Sequence, residues 1–165
     1  MQLLEFVLIG QNEAVIQSLL PDLPLQNLQV SGHNVLRGAI SDETAVILYP
    51  ILFNDTPSDA FIGKITRHAS GILISSSITE GEAWLEQHEF WRNYLTAEPV
   101  QPVIWVVPLA EPQQTIVEKV SQLSGGLLLG DKSRMFFVPG GETGIRHKIW
   151  RTLLMELLPV TISDE

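Results

Sequence analysis

Apolar positions along this chain fall into short blocks whose period switches between strand and helix. Leu3 to Ile9 is an apolar run that ends at Gly10, the pattern of a central strand buried on both faces. Asn12 to Leu20 reads as a short helix capped by Asn12, with Ala14, Val15, Leu19 and Leu20 on its apolar side. Pro21 and Pro24 end it. Residues 22–34 read as a loop with room for a short strand at Leu28–Val30. Asn34 to Ile40 and Thr44 to Leu52 are β-branched segments flanking Ser41-Asp42-Glu43, which predicts a hairpin and so one antiparallel strand.

The second half continues the alternation. Asp59 to His68 is a helix capped by Ser58, and Gly71 to Ile78 is a strand. Thr79 is placed to cap a helix from Glu80 to about Thr96, with Glu82 in reach of a capping box. Trp84, Leu85, His88, Trp91 and Leu95 share one side of it. Pro99 and Pro102 break the chain before the buried strand Val103 to Val107. Glu111 to Leu123 reads as a helix, Met135 to Val138 as the last strand and Thr143 to Leu158 as the final helix, stopped by Pro159.

The resulting order predicts an α/β fold of three layers. Its core is a doubly wound, mostly parallel six-stranded sheet with one antiparallel strand and helices on both faces. A single domain over residues 1–159, with a tail at 160–165, is the expected organisation.

Composition narrows the function classes. Apolar residues make up 45% of the chain and charged residues 18%, which marks a globular protein. A net charge of −9 argues against non-specific binding to nucleic acid or to an anionic membrane. The local exception is Arg134 with Arg146, His147, Lys148 and Arg151, which reads as a solvated basic helix face. The chain has no cysteine, so disulfides, thiol catalysis and cysteine metal sites are excluded. A membrane-length apolar run, a leader and a lipidation signal are all absent from the sequence, and a cytoplasmic location is the expectation.

The strand order, with a hairpin after the first helix, resembles the small GTPase superfamily of Ras type over about Leu3 to Leu158. That resemblance implies a phosphate-binding loop, Gly-x-x-x-x-Gly-Lys-Ser/Thr, between the first strand and helix. Here Gly10 is kept, but Val15 stands for the second Gly, Ile16 for the Lys and Gln17 for the metal-binding hydroxyl. Val15 adds bulk and Ile16 removes the charge that neutralises phosphate. Glu13 adds negative charge nearby.

The Asp-x-x-Gly motif has its nearest counterpart at Asp55-Thr56-Pro57-Ser58, or by hairpin spacing at Ile51 to Asn54. At the guanine-selecting Asn-Lys-x-Asp stands Pro108-Leu109-Ala110-Glu111, and at Ser-Ala-Lys stands Pro139-Gly140-Gly141. Only Ser31 is available where the family covers its metal with Thr. A receiver-type domain of five parallel strands is the competing fold, but its acidic pair has no counterpart in Gly10-Gln11-Asn12.

The resemblance therefore implies a pseudo-GTPase: no catalytic residue, no cofactor and no metal, acting as an adaptor or regulatory subunit. The partners it implies are a true small GTPase or a roadblock- or longin-like domain. The expected partner surface is the hairpin strand Asn34–Ile40 with the loop Phe53–Ser58, marked by Arg37, Phe53 and Asp55, with Trp91 as a further aromatic anchor.

The alternative is a small-ligand binder or enzyme at the carboxyl end of the strands, drawing on Asn12, Asp55, Ser76, Ser77 and Glu111. Ser75-Ser76-Ser77 lacks a nucleophile elbow and reads as small residues packed under helices. His33, His68, His88 and His147 lack zinc-site spacing, and His88 reads as a packed histidine.

Overall fold

The computed structural model describes residues 1–55, 57–97, 101–109, 132–139 and 144–157. These residues form one seven-stranded sheet. Its strands are β1 (Gln2–Gly10), β2 (Gln26–Val30), β3 (His33–Ala39), β4 (Thr44–Leu52), β5 (Gly71–Ser75), β6 (Val103–Leu109) and β7 (Arg134–Pro139). The spatial order is β2-β3-β4-β1-β5-β6-β7. β4, β1, β5, β6 and β7 pair in parallel, while β3 pairs antiparallel with both β2 and β4. The antiparallel strand expected from the sequence is therefore β3.

The described helices are α1 (Glu13–Leu19), α2 (Asp59–His68), α3 (Ile78–Gln87), α4 (Glu89–Thr96) and α5 (Ile145–Arg151). The last runs on as a π-helical turn over Thr152–Leu157. The predicted helix at Glu111 to Leu123 lies outside the described residues. Among the described residues no helix is long and apolar enough to cross a membrane.

Strand alternation sorts the core into two layers. Leu4, Phe6 and Leu8 of β1 face α1 and α5, joining Ile16, Leu19, Ile149, Trp150 and Leu153. Val7 and Ile9 face the other way, into a layer with Ile62, Ile65, Trp84, Trp91 and Leu95 from α2, α3 and α4. From Phe6 to Gly10 β1 has no face left for water, which is why that part of its sequence is a run and not an alternation. The Trp150 indole N–H donates to the Leu19 carbonyl at 2.8 Å, and its ring meets Phe6 edge-on at 5.1 Å, tying α5 to α1 over β1.

The structure departs from the sequence expectation at several points, among them the strand expected over Gly71–Ile78, which ends at Ser75 because Ser77 caps α3. The short strand for which residues 22–34 left room at Leu28–Val30 is β2, begun two residues earlier, so the sheet has seven strands and not six. Ser31 (φ 51°) and Gly32 (φ 80°) make the tight turn into β3, the left-handed pair that a two-residue hairpin requires. All five β2 residues are exposed, so the strand carries no buried-face pattern.

The helix expected from Glu80 to Thr96 is two helices that break at His88 (φ −123°, ψ 86°). In a continuous helix the Trp84 carbonyl would accept from the His88 amide. Instead the His88 ring donates to it through Nδ1 at 2.7 Å, and the His88 amide turns to Leu85 at 3.2 Å. The cap is also two residues earlier than expected. Ser77 Oγ accepts from the Glu80 amide at 3.2 Å and donates to the Glu80 carboxylate at 2.9 Å.

Candidate functional site

The carboxyl ends of the parallel strands are where open α/β sheets place ligands. There β1 ends at Gly10 and only Gln11 and Asn12 separate it from α1. Asn12 is extended and its side-chain oxygen caps the Val15 amide at 3.0 Å. Val15, Ile16 and Gln17 consequently lie within the helix and not in a loop.

Ile16 is 4% exposed and belongs to the α1–α5 core layer. A methyl group added at Gly10 would sit 3.1 Å from Val15 Cγ1 and 3.1 Å from Ile16 Cδ1. The space over the strand end is therefore lined by two β-branched side chains. Gly10 keeps its value here because it lets those side chains close over the sheet.

The neighbouring serines are committed to structure. Ser75 and Ser76 are each 3% exposed. Ser76 Oγ and its carbonyl accept from the Trp105 indole at 3.2 and 3.3 Å, and Ser77 caps α3. Of the five polar groups the sequence offered for a ligand site, Asn12, Ser76 and Ser77 are thus occupied. Glu111 lies outside the described residues, and Asp55 alone stays available.

Asp55 is exposed and lines a cleft of about 520 Å³ beside the end of β4. Glu13 and Gln17 of α1, Asn27, His33 and Asn34 of the β2–β3 hairpin, and Tyr49 complete its polar lining. Glu13 and Asp55 are acidic, and the lining contains no lysine or arginine. On one wall His33 stacks on Phe61 at 3.9 Å. The sequence had singled out Glu13, Ile16, Gln17 and Asp55 of this lining, but not their meeting in one cleft, because its walls come from segments distant in the chain. Among the described residues no three of His, Asp and Glu converge as a metal site would need.

Tyr49 has the clearest electrostatic signature in this region. Its hydroxyl donates to Glu5 Oε2 at 2.9 Å. Burial, then the hydrogen bond and the negative charge of Glu5, push the phenol up from 10.0 to about 12. Burial also raises Tyr94, the other tyrosine of the chain. Both phenols are favoured neutral by folding. Their stabilisation is complete below pH 10 and, for Tyr49, is lost as pH rises through about 12. An ultraviolet pH titration of the native protein is expected to show phenolate appearing above pH 10, with the latest phase removed by Tyr49→Phe. Normal ionisation of both tyrosines near 10 contradicts this arrangement.

The surface residues expected from the sequence divide three ways. Arg37 is exposed on β3, but β3 is paired on both sides and is not a sheet edge. On this side of the sheet the edge strand is β2 (Gln26–Val30), so Asn34–Ile40 is not the edge the sequence suggested. Phe53 is half-buried and stacks on Trp84 at 4.9 Å. Trp91 is 1% exposed, held among Trp84, Phe90 and Tyr94 at 5.8–6.1 Å. It is a core residue and offers a partner nothing, because it shares the buried side of α3 and α4 with Trp84, Leu85 and Leu95.

Solved structures share this fold, among them two of Era. An Era variant from Aquifex aeolicus bound to GDP·AlF4− has 12% identity and a TM-score of 0.54, over 97% of this chain and 58% of that one. Era in complex with MgGDPNP and nucleotides 1506–1542 of 16S ribosomal RNA has 14% identity and a TM-score of 0.51, over 93% of this chain and 56% of that one. The chain therefore spans a little over half the length of these structures. At such identity the likeness establishes a GTPase-like α/β fold alone. No protein-family model and no curated protein matches the chain.

Proposed function

We propose that this chain is a pseudo-GTPase: an interaction module, acting as an adaptor or regulatory subunit, that does not hold a nucleotide at the end of β1. The observation that carries the reading is the packing of Val15 and Ile16 over Gly10. A phosphate cradle needs free backbone amides and a cation. Here the helix begins before the motif's second glycine position, its first turn carries Glu13, and Asn12 caps the Val15 amide. The residues present do not fit a triphosphate with its metal, and the acidic cleft beside them opposes a phosphate further.

The partner is a protein of the kind that pairs with small GTPases, namely a true small GTPase or a roadblock- or longin-like domain. The surface offered is β2 with the exposed Arg37 and Asp55 near it. The Val30–His33 pair closes a two-residue turn and is hydrogen-bonded, so Leu28 and Gln26 also bond to β3. Asn27 and Gln29 are left with their backbone groups directed outward. An added strand would bond there.

The test compares proteins co-purifying with the tagged chain and with Asn27→Pro, which removes one outward donor from an edge position that tolerates proline. The expected result is loss of a protein partner with an unchanged circular dichroism spectrum. An identical set of captured proteins would rule this edge out.

The second reading, a small-ligand binder, is favoured by the cleft itself, whose volume falls in the range of ligand sites. Ligand-induced shifts confined to His33, Tyr49 and Asp55, with partner capture unaffected by the β2 variant, would favour it over the adaptor reading.

A further inference from the structure

The basic cluster near the end of the chain borders a second cavity, at the opposite end of the sheet from the cleft. Ile40 and Val46, at the turn into β4, form its floor with Trp150 and Leu154 of the final helix, in a groove of about 360 Å³. Arg146, His147 and Arg151 stand on its rim, and Asp22 is its one acidic residue. All three basic residues are exposed, and among the described residues none has a hydrogen-bond or ion-pair partner. In a chain of net charge −9, two unpartnered guanidinium groups beside an apolar floor are a local reversal of the field.

A second feature coincides with the groove. The final helix passes from α to π geometry at Thr152, in the groove's own wall, and Met155 stands 63% exposed at the mouth. π-Turns are rare and recur at functional sites, because the extra residue per turn re-aims the side chains that follow. An ordinary amphipathic helix would turn these apolar groups against the sheet.

We propose that this groove binds a small anionic amphiphile, specifically an aliphatic monocarboxylate of medium chain length. The hydrocarbon lies against Ile40 and Leu154, the half-buried apolar groups of the floor, over the buried Val46 and Trp150. The carboxylate lies at the rim, where a guanidinium presents paired N–H donors that match its two oxygens. Asp22 on the same rim opposes a doubly charged head and so favours a carboxylate over a phosphate monoester. The site is separate from the proposed partner surface, and neither reading depends on the other.

Titration of the purified chain with decanoate, decanol and decylammonium, below their micelle concentrations, tests this directly. Decanoate is expected to bind about tenfold or more tighter than decanol, the factor a charge-assisted hydrogen bond supplies, and decylammonium weaker still. Methyl resonances of Ile40, Val46 and Leu154 are expected to shift while Ile16 and Leu36, at the other end of the sheet, stay fixed. Arg146→Glu combined with Arg151→Glu is expected to reverse the order of decanoate and decylammonium. Met155→Asp, an exposed change that puts a negative charge at the mouth, is expected to weaken decanoate should the double variant fail to fold. Equal binding of decanol, no binding at millimolar decanoate, shifts at the cleft in place of the groove, or binding only to phosphatidylglycerol vesicles would each overturn the proposal.

Discussion

Truncating Trp91 to alanine is expected to cost about 3–5 kcal/mol of folding stability, the range for removing a large aromatic from a packed core. The ring is 1% exposed, and Trp84, Phe90 and Tyr94 surround it. A cavity opened there is bordered by other rigid rings, which collapse poorly into empty space. The neighbouring Arg92 is exposed, so Arg92→Ala should fall within about 0.5 kcal/mol of the parent. Denaturant unfolding of the two variants separates the roles cleanly. A stable Trp91→Ala protein that has lost a partner would return the ring to the surface and refute its placement.

Ile16→Lys is expected to be nearly as damaging, at about 3 kcal/mol or more, the scale of an uncompensated buried charge. The change restores the residue type that the GTPase motif carries at this position, so it asks directly what position 16 faces. In an open phosphate loop a lysine would be solvated and tolerated. Here it replaces a side chain 4% exposed in the core layer of Leu8, Leu19 and Trp150. Burial would lower the new amine's pKa below the ordinary value of about 10.4. A lowered folded pKa means that the folded state prefers the neutral amine. The destabilisation therefore eases as pH rises towards that value. Urea titrations at pH 7 and pH 9.5 test both the size and the sign. A variant as stable as the parent at pH 7 would show that the side chain reaches water, and the closed-loop account would fail.

What was legible in the sequence follows from what each residue had to satisfy. β1 and β6 are buried on both faces, and such strands announce themselves as apolar runs. Asn12 and Ser58 cap α1 and α2 as read, because a cap is a local contract between a side chain and an amide three residues on. β2 buries neither face, so no hydrophobic period marked it, and the sequence showed only room for a short strand at Leu28–Val30 before the turn at Ser31 and Gly32. The break at His88 was hidden because the histidine has helical spacing in the apolar stripe. Its ring, and not its amide, satisfies the Trp84 carbonyl.

For the site, the residue types at positions 15, 16 and 17 announced the mismatch with the phosphate motif. That Val15 and Ile16 would close over Gly10, with the helix starting at Glu13, depended on a cap two residues after the strand. The cleft and the basic groove are each assembled from segments far apart in the chain. Sequence pattern marked Asp55 and the arginines individually and gave no sign of the walls between them.

The most direct measurement is a calorimetric titration of the purified chain with GTP, GDP and ATP, each with and without magnesium. With hydrocarbon packed over Gly10, no heat of binding is expected at millimolar nucleotide. Micromolar, guanine-selective binding that requires magnesium would contradict the account. It would mean that the strand end opens to admit phosphate, and that this chain is a nucleotide switch.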